Sequence, residues 1–148
     1  MLKEKVSTAN APTAIGPYSQ GIKLGDFIFV SGQIPIDVNT GDLVSDDIEV
    51  QTRQCLKNIE AILNEAGLNF THVLKTVVYM TDLSEFEAMN KIYAEYFSEP
   101  YPTRSTLQVS ALPKGSKIEI EAYAIDTLAL EVVCTNNETC CHKDGCCE

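Results

Sequence analysis

Residues 101–124 read YPTRSTLQVSALPKGSKIEIEAYA, and their pattern sets the fold class. Ser105 to Val109 and Lys117 to about Ala129 read as two strands, with a turn at Leu112-Pro113-Lys114-Gly115. In the second strand Ile118, Ile120 and Ala122 alternate with Glu119 and Glu121, so one sheet face is apolar and the other polar. Arg104 stands just after a proline turn, at the start of the first of these strands. A guanidinium beside a strand is costly to desolvate unless it meets an anion. Its planar fork suits a carboxylate held by two hydrogen bonds.

Further elements are legible on either side. Ile22–Leu24 and Phe27–Ser31 read as strands joined at Gly25-Asp26. Apolar or small residues recur at Ile48, Thr52, Cys55, Leu56, Ile59, Ile62, Leu63 and Ala66, the 3.6-residue spacing of a helix. Ser45 is expected to cap its start and Gly67 to end it. Cys55 falls on the apolar stripe and reads as a buried thiol rather than a nucleophile. Val73–Met80 is rich in β-branched residues and reads as a strand. Ser84-Glu85-Phe86-Glu87 fits a capping box, opening a second helix to about Phe97 that Pro100 and Pro102 stop. The predicted order is β-β-α-β-α-β-β, an α+β domain with two helices on one face of a mixed sheet. The other face needs cover, which oligomerisation supplies.

The chain has 148 residues, 45% hydrophobic, enough for one domain with a core. Residues 1–128 are expected to form it, and 129–148 a Cys-rich C-terminal tail without fixed structure. Formal net charge is −10, of which residues 1–125 carry −6. Polyanion binding needs clustered Lys and Arg, so nucleic acid is an unfavoured partner. The sequence contains neither an apolar run long enough for a membrane nor a secretory or mitochondrial leader pattern, so a cytoplasmic location is expected.

Nucleotide and metal motifs are missing from residues 1–128, as is a GxSxG elbow. His72 reads as a surface residue, and Ser31 and Ser105 lack an evident His partner. The remaining candidates are Arg104, Glu119, Glu121, Tyr18, Ser31, Gly32, Asn90, Tyr93 and Thr106. A carboxylate in a partly buried pocket can direct a water molecule.

These residues lie in stretches that resemble the RidA (YjgF) family of reactive-intermediate deaminases: AIGPYSQG at 14–21, FVSGQIP at 29–35, MNKIYAEYF at 89–97 and YPTRSTLQVSALPKGSKIEIEA at 101–122. The resemblance covers about residues 5–126. It implies a chorismate-mutase-like α+β domain, a homotrimer with sites between protomers, and cofactor-free hydrolysis of enamines and imines such as 2-aminoacrylate to 2-keto acids and ammonia. It further implies that Arg104 binds the substrate carboxylate and Glu119 positions water. Tyr18, Ser31, Gly32, Asn90 and Tyr93 match pocket positions.

Two departures stand out. Many relatives carry Cys two residues after the arginine; here Thr106 stands there, able to hydrogen-bond a substrate but not to act as a thiol. The tail CTNNETCCHKDGCCE lies outside the family pattern. Its Cys140, Cys141, His142, Cys146 and Cys147 offer a soft-metal or redox site, against the plainer reading of a redox-sensitive tail. Two other functions compete with this one: a non-catalytic 2-keto acid-binding regulator and, less favoured, an RNA-acting translation inhibitor.

Overall fold

The computed structural model describes residues 3–127. Six strands form one mixed sheet: β1 (Glu4–Val6), β2 (Gly21–Leu24), β3 (Phe27–Gln33), β4 (Val73–Met80), β5 (Thr103–Gln108) and β6 (Ile118–Ile125). Their spatial order is β1-β2-β3-β6-β4-β5. Every neighbouring pair is antiparallel except β4 and β5. Helices α1 (Ile48–Glu65) and α2 (Phe86–Tyr93) pack against each other and share one core with the sheet. α2 lies in the crossover that the parallel β4–β5 pair requires.

β6 is central and alternates strictly. Ile118, Ile120, Ala122 and Ala124 are buried beneath the helices, while Glu119, Glu121, Tyr123 and Ile125 face the other way. On the uncovered face Leu24, Phe27, Phe29 and Leu107 are exposed. Phe29 meets Tyr123 edge-on at 5.6 Å between ring centres.

Four expectations are revised. The strand β1, pairing only three residues with β2, is too short for a periodicity signal. The cap of α1 is Asp47, whose Oδ1 accepts from Val50 N at 3.0 Å; Ser45 Oγ instead accepts from Asp47 N. Ser84 forms no capping box. Asp82 caps a 3₁₀ turn at Leu83–Glu85, and α2 stops at Tyr93, short of Phe97. The expected turn is present at Pro113–Gly115; it connects β5 to β6, which lie on either side of β4. The Cys-rich tail lies outside the described residues.

Two inferences from the sequence hold. Cys55 is fully buried, its Sγ 3.8 Å from Ile118 O, and burial pushes its thiol pKa up. Gly67 ends α1 at φ 77° in a Schellman motif: Gly67 N donates to Asn64 O and Leu68 N to Leu63 O. His72 Nδ1 accepts from Asn69 N and braces a 3₁₀ turn. None of the described helices is long and apolar enough to cross a membrane.

Polar side chains inside the core hold the loops. Asn58, buried on α1, donates to both Ile34 O (3.2 Å) and Ile36 O (3.1 Å). Gln20 accepts from Thr8 N and donates to the carbonyls of Thr8, Ala11 and Pro12. Gln51 joins Ser45 O to Lys117 N. Each amide satisfies backbone groups that irregular chain would otherwise bury unpaired.

Nothing lies within 4 Å of a Cβ placed on Gly67. Its substitution therefore costs backbone conformation alone. Gly67→Ala is expected to lower the unfolding free energy by about 1 kcal/mol, measured by urea denaturation at fixed protein concentration.

Candidate active site

A cavity of about 650 Å³ opens beside the β3–β6 junction, and Tyr18, Ser31, Gly32 and Glu119 all line it. Its floor is made by a β-bulge. Val30 pairs with Ala122 and Gln33 with Ile120, so Ser31 and Gly32 together oppose one residue of β6. The bulge is anchored on both sides. Ser31 N donates to Gln20 O at 2.9 Å and Ser31 Oγ to Ser19 O at 2.6 Å. Gln33 Nε2 donates to Ser31 O at 3.0 Å. A Cβ on Gly32 would collide with the Glu119 carboxylate, so glycine here makes room for the acid.

Glu119 is partly buried and is raised above its usual carboxylate pKa, first by desolvation and second by Glu121. Tyr79 stands opposite it across the β4–β6 pair. Glu121 is otherwise engaged: it accepts a 3.0 Å hydrogen bond from Tyr123 OH. Of the two acids on this face, Glu119 is the one turned into the cavity.

Arg104 lies elsewhere. On β5 it is level with Thr76, and Thr106 with Val78; both therefore lie on the helix-covered side of the sheet, opposite to Glu119. Its guanidinium carbon sits 4.5 Å from the ring centre of Tyr93 and 5.6 Å from that of Phe86. Tyr93 is held in place for this contact. Its hydroxyl shares a 2.8 Å hydrogen bond with Thr76 Oγ1, and its ring stacks on Phe97 at 4.4 Å. Asn90, partly buried, lies one turn from Phe86 on the same stripe of α2. The two arginines of the chain differ sharply. Arg53 makes two hydrogen bonds to the Glu95 carboxylate. Arg104 is partly buried, and among the described residues it has aromatic neighbours but no carboxylate. A guanidinium held over aromatic rings keeps its N–H donors available to an external anion.

The candidates thus fall into two groups within one copy: Tyr18, Ser31, Gly32 and Glu119 in the cavity, and Arg104, Asn90, Tyr93 and Thr106 at the β5–α2 edge. Sequence reasoning passed over Lys114 and the wall residues Ile15, Ile34, Ile36 and Val38. Lys114 has φ 57° and donates to Gly41 O at 3.1 Å. The wall residues lie in loops, where apolar side chains carry no periodic signal. Asn58 did leave a trace, as a polar residue on the apolar stripe of α1. Among the described residues, His, Cys, Asp and Glu form no cluster suited to a metal.

A mixed α+β domain with an acid-bearing cavity and a stacked, anion-ready arginine defines the class. The chain belongs to the family described as Endoribonuclease L-PSP, the RidA (YjgF) group, whose model matches residues 8–126. It is 54% identical over 123 residues to a RutC family protein of Pyrococcus horikoshii, covering 83% of this chain and 98% of that one. It is 48% identical over 125 residues to the human 2-iminobutanoate/2-iminopropanoate deaminase, covering 84% and 91%. Among solved structures, a Rid family protein of Yersinia pestis superimposes with a TM-score of 0.82 at 50% identity, covering 84% and 100%. E. coli TdcF, solved with bound serine, gives 0.79 at 44% identity, covering 83% and 98%.

Burial of Glu119 carries a stability signature. A raised folded-state pKa means that the ionised form is disfavoured in the fold. The side chain's stability contribution is fully present below its unfolded pKa and is lost as pH rises through the folded value. Glu119→Gln is accordingly expected to raise Tm at pH 7.5 and to converge with the wild type near pH 4, checked by thermal unfolding at both pH values.

Proposed function

We propose that this chain hydrolyses 2-enamino and 2-imino acids, of the 2-aminoacrylate type, to 2-keto acids and ammonia. The observation that carries the reading is Arg104: a partly buried guanidinium, its carbon 4.5 Å from the Tyr93 ring centre and 5.6 Å from that of Phe86, with no carboxylate of its own among the described residues. Relatives named imine deaminases, at 42–48% identity, support it.

The chemistry requires little machinery. The enamine gains a proton at carbon and becomes the imine. Water adds to the imine carbon, and the C–N bond then breaks to release ammonia. Arg104 grips the carboxylate and so orients the C=N bond. Glu119 accepts the proton of the attacking water and returns it to the leaving nitrogen. Its burial strengthens it as a base relative to an exposed glutamate. Thr106 and Asn90 flank Arg104 and add polar contacts, while Tyr93 acts through the arginine it supports.

Arg104 and Glu119 lie on opposite sides of the sheet, so one copy does not bring them together. We place the complete site between copies in a homotrimer of chorismate-mutase-like domains, each donating its β5–α2 edge to a neighbour's Glu119 cavity. The uncovered face, with Phe27, Phe29, Leu24 and Leu107 exposed, supplies the apolar area that assembly requires.

The reading that RNA is the target draws on the family's endoribonuclease name, but the formal charge of −10 disfavours a phosphate backbone. A serine-bound relative leaves room for binding without turnover. A rate assay separates the readings. With 2-aminoacrylate generated by a serine dehydratase, the wild type is expected to accelerate pyruvate release, and Arg104→Ala to lower kcat/KM by ~10²-fold, the loss of a charged bidentate contact. Arg104→Ala and Glu119→Gln, unfolded and reassembled together at equal amounts, are expected to regain about a quarter of wild-type sites if each site joins two copies. No recovery above the sum of the two variants would refute the shared site. Gly32→Ala is expected to fold normally and lose ~10²-fold in activity by displacing the Glu119 carboxylate; unfolding curves and the same assay check it.

A further inference from the structure

Only two charged side chains line the cavity, Glu119 and Lys114. The first has a place in the chemistry above; the second does not. Lys114 lies in the turn between β5 and β6, exposed, five residues before Glu119. Its ammonium donates to Gly41 O at 3.1 Å, and Gly41 also lines the cavity. The lysine side chain therefore spans the rim, from the 113–115 turn to the loop that holds Gly41.

Three observations set Lys114 apart. Its backbone is left-handed, at φ 57° and ψ 11°, and Gly115 follows at φ 75°. Glycine or asparagine occupies that region at lower cost than lysine. A strained residue at a cavity points to a use for its side chain. Next, its partner is weak. Lys23, Lys91 and Lys117 each reach a carboxylate oxygen at 3.0–3.3 Å. Among the described residues Lys114 instead meets a neutral carbonyl, at an exposed position. Such a bond is readily exchanged for one to an anion, which is shorter and stronger. Finally, the surrounding field is negative. Residues 1–125 carry a formal charge of −6, and Glu119 adds an acid inside the cavity itself. A substrate with a carboxylate approaches against that field, and a cation at the rim offsets it locally.

We infer that Lys114 captures the anionic substrate at the rim of this cavity. Its ammonium leaves Gly41 O, meets the carboxylate of an incoming 2-imino or 2-enamino acid, and yields it to Arg104 of the neighbouring copy. This deepens the deaminase reading above and rests on it. Lys114 makes and breaks no covalent bond and moves no proton; it acts on encounter, as a positioning residue. The rival role is a strap that only ties the Gly41 loop to the 113–115 turn. A strap depends on the hydrogen bond, whereas capture depends on the charge, and salt distinguishes them.

The test uses the imine formed in situ from L-leucine by an L-amino-acid oxidase with catalase present. Semicarbazide traps the imine in competition, so faster enzymatic hydrolysis lowers semicarbazone absorbance. At low steady-state imine the partition reports kcat/KM, and reactions without the deaminase calibrate each salt concentration. Lys114→Asn removes the charge and suits the left-handed backbone. It is expected to lower kcat/KM by about 5-fold at low ionic strength, the attraction of one close charge pair in water. At about 1 M NaCl, where screening acts within roughly 3 Å, the difference should shrink to less than about 2-fold. Lys114→Arg, which keeps the charge, is expected to retain most of the wild-type value and its salt dependence. Lys114→Gln is neutral but can still donate to Gly41 O, and it decides the matter if the asparagine disturbs the loop. Unchanged kcat/KM in both neutral variants overturns the inference. A loss of equal size at both salt concentrations also overturns it, in favour of the strap. If the wild type itself does not lower semicarbazone absorbance, the deaminase reading fails instead.

Discussion

The strict two-residue alternation of β6 is the constraint on which the rest of the structure depends. Ile118, Ile120, Ala122 and Ala124 must point beneath the helices, because that is where α1 and α2 bury their stripes. Glu119, Glu121 and Tyr123 are thereby committed to the other face. A slip of one residue would drive two carboxylates into the core and expose four apolar side chains. Since β6 lies between β3 and β4, the same register fixes the bulge at Ser31-Gly32 beside Glu119 on one flank. On the other flank it orders β4, and through β4 the Arg104 strand.

Around that frame the cavity is shaped by amides rather than by packing alone. Gln20, Asn58 and Gln51 are buried polar residues whose cost is offset only because each satisfies backbone carbonyls or amides of adjoining loops. The result is irregular chain whose carbonyls and amides are paired from within the core. This suits a site whose proposed chemistry needs an oriented carboxylate and one well-placed base. Tyr93 performs the equivalent service for Arg104, with its hydroxyl tied to Thr76 and its ring braced by Phe97.

Much of this was legible in residues 101–124 and in the spacing of α1. The face assignment of Glu119, the burial of Cys55 and the end of α1 at Gly67 all follow from periodicity and backbone preference. The helix starts were misread because several short polar residues, Ser45 and Asp47 or Asp82 and Ser84, compete to cap each one. Local sequence does not decide which has the geometry. β1 escaped notice because three residues show no period, and its partner β2 defines it. The separation of Arg104 from Glu119 was hidden for a different reason. It depends on β4 lying between the two strands, a long-range pairing that a linear pattern does not encode. The 34–38 wall and Lys114 were missed because their significance comes from hydrogen bonds distant in sequence, Asn58 to Ile36 across 22 residues and Lys114 to Gly41 across 73.

The distribution of sulfur has a cellular consequence. Of six cysteines, Cys55 is the only one before residue 134, and it lies fully buried with its thiol held protonated. A protonated, enclosed thiol is a poor target for peroxide, disulfide exchange or electrophiles. Position 106, beside the arginine, carries a hydroxyl rather than sulfur. The candidate site thus holds no residue that a change in glutathione poise would convert. Apart from Cys55, the chain's thiols are the five cysteines from residue 134 onward.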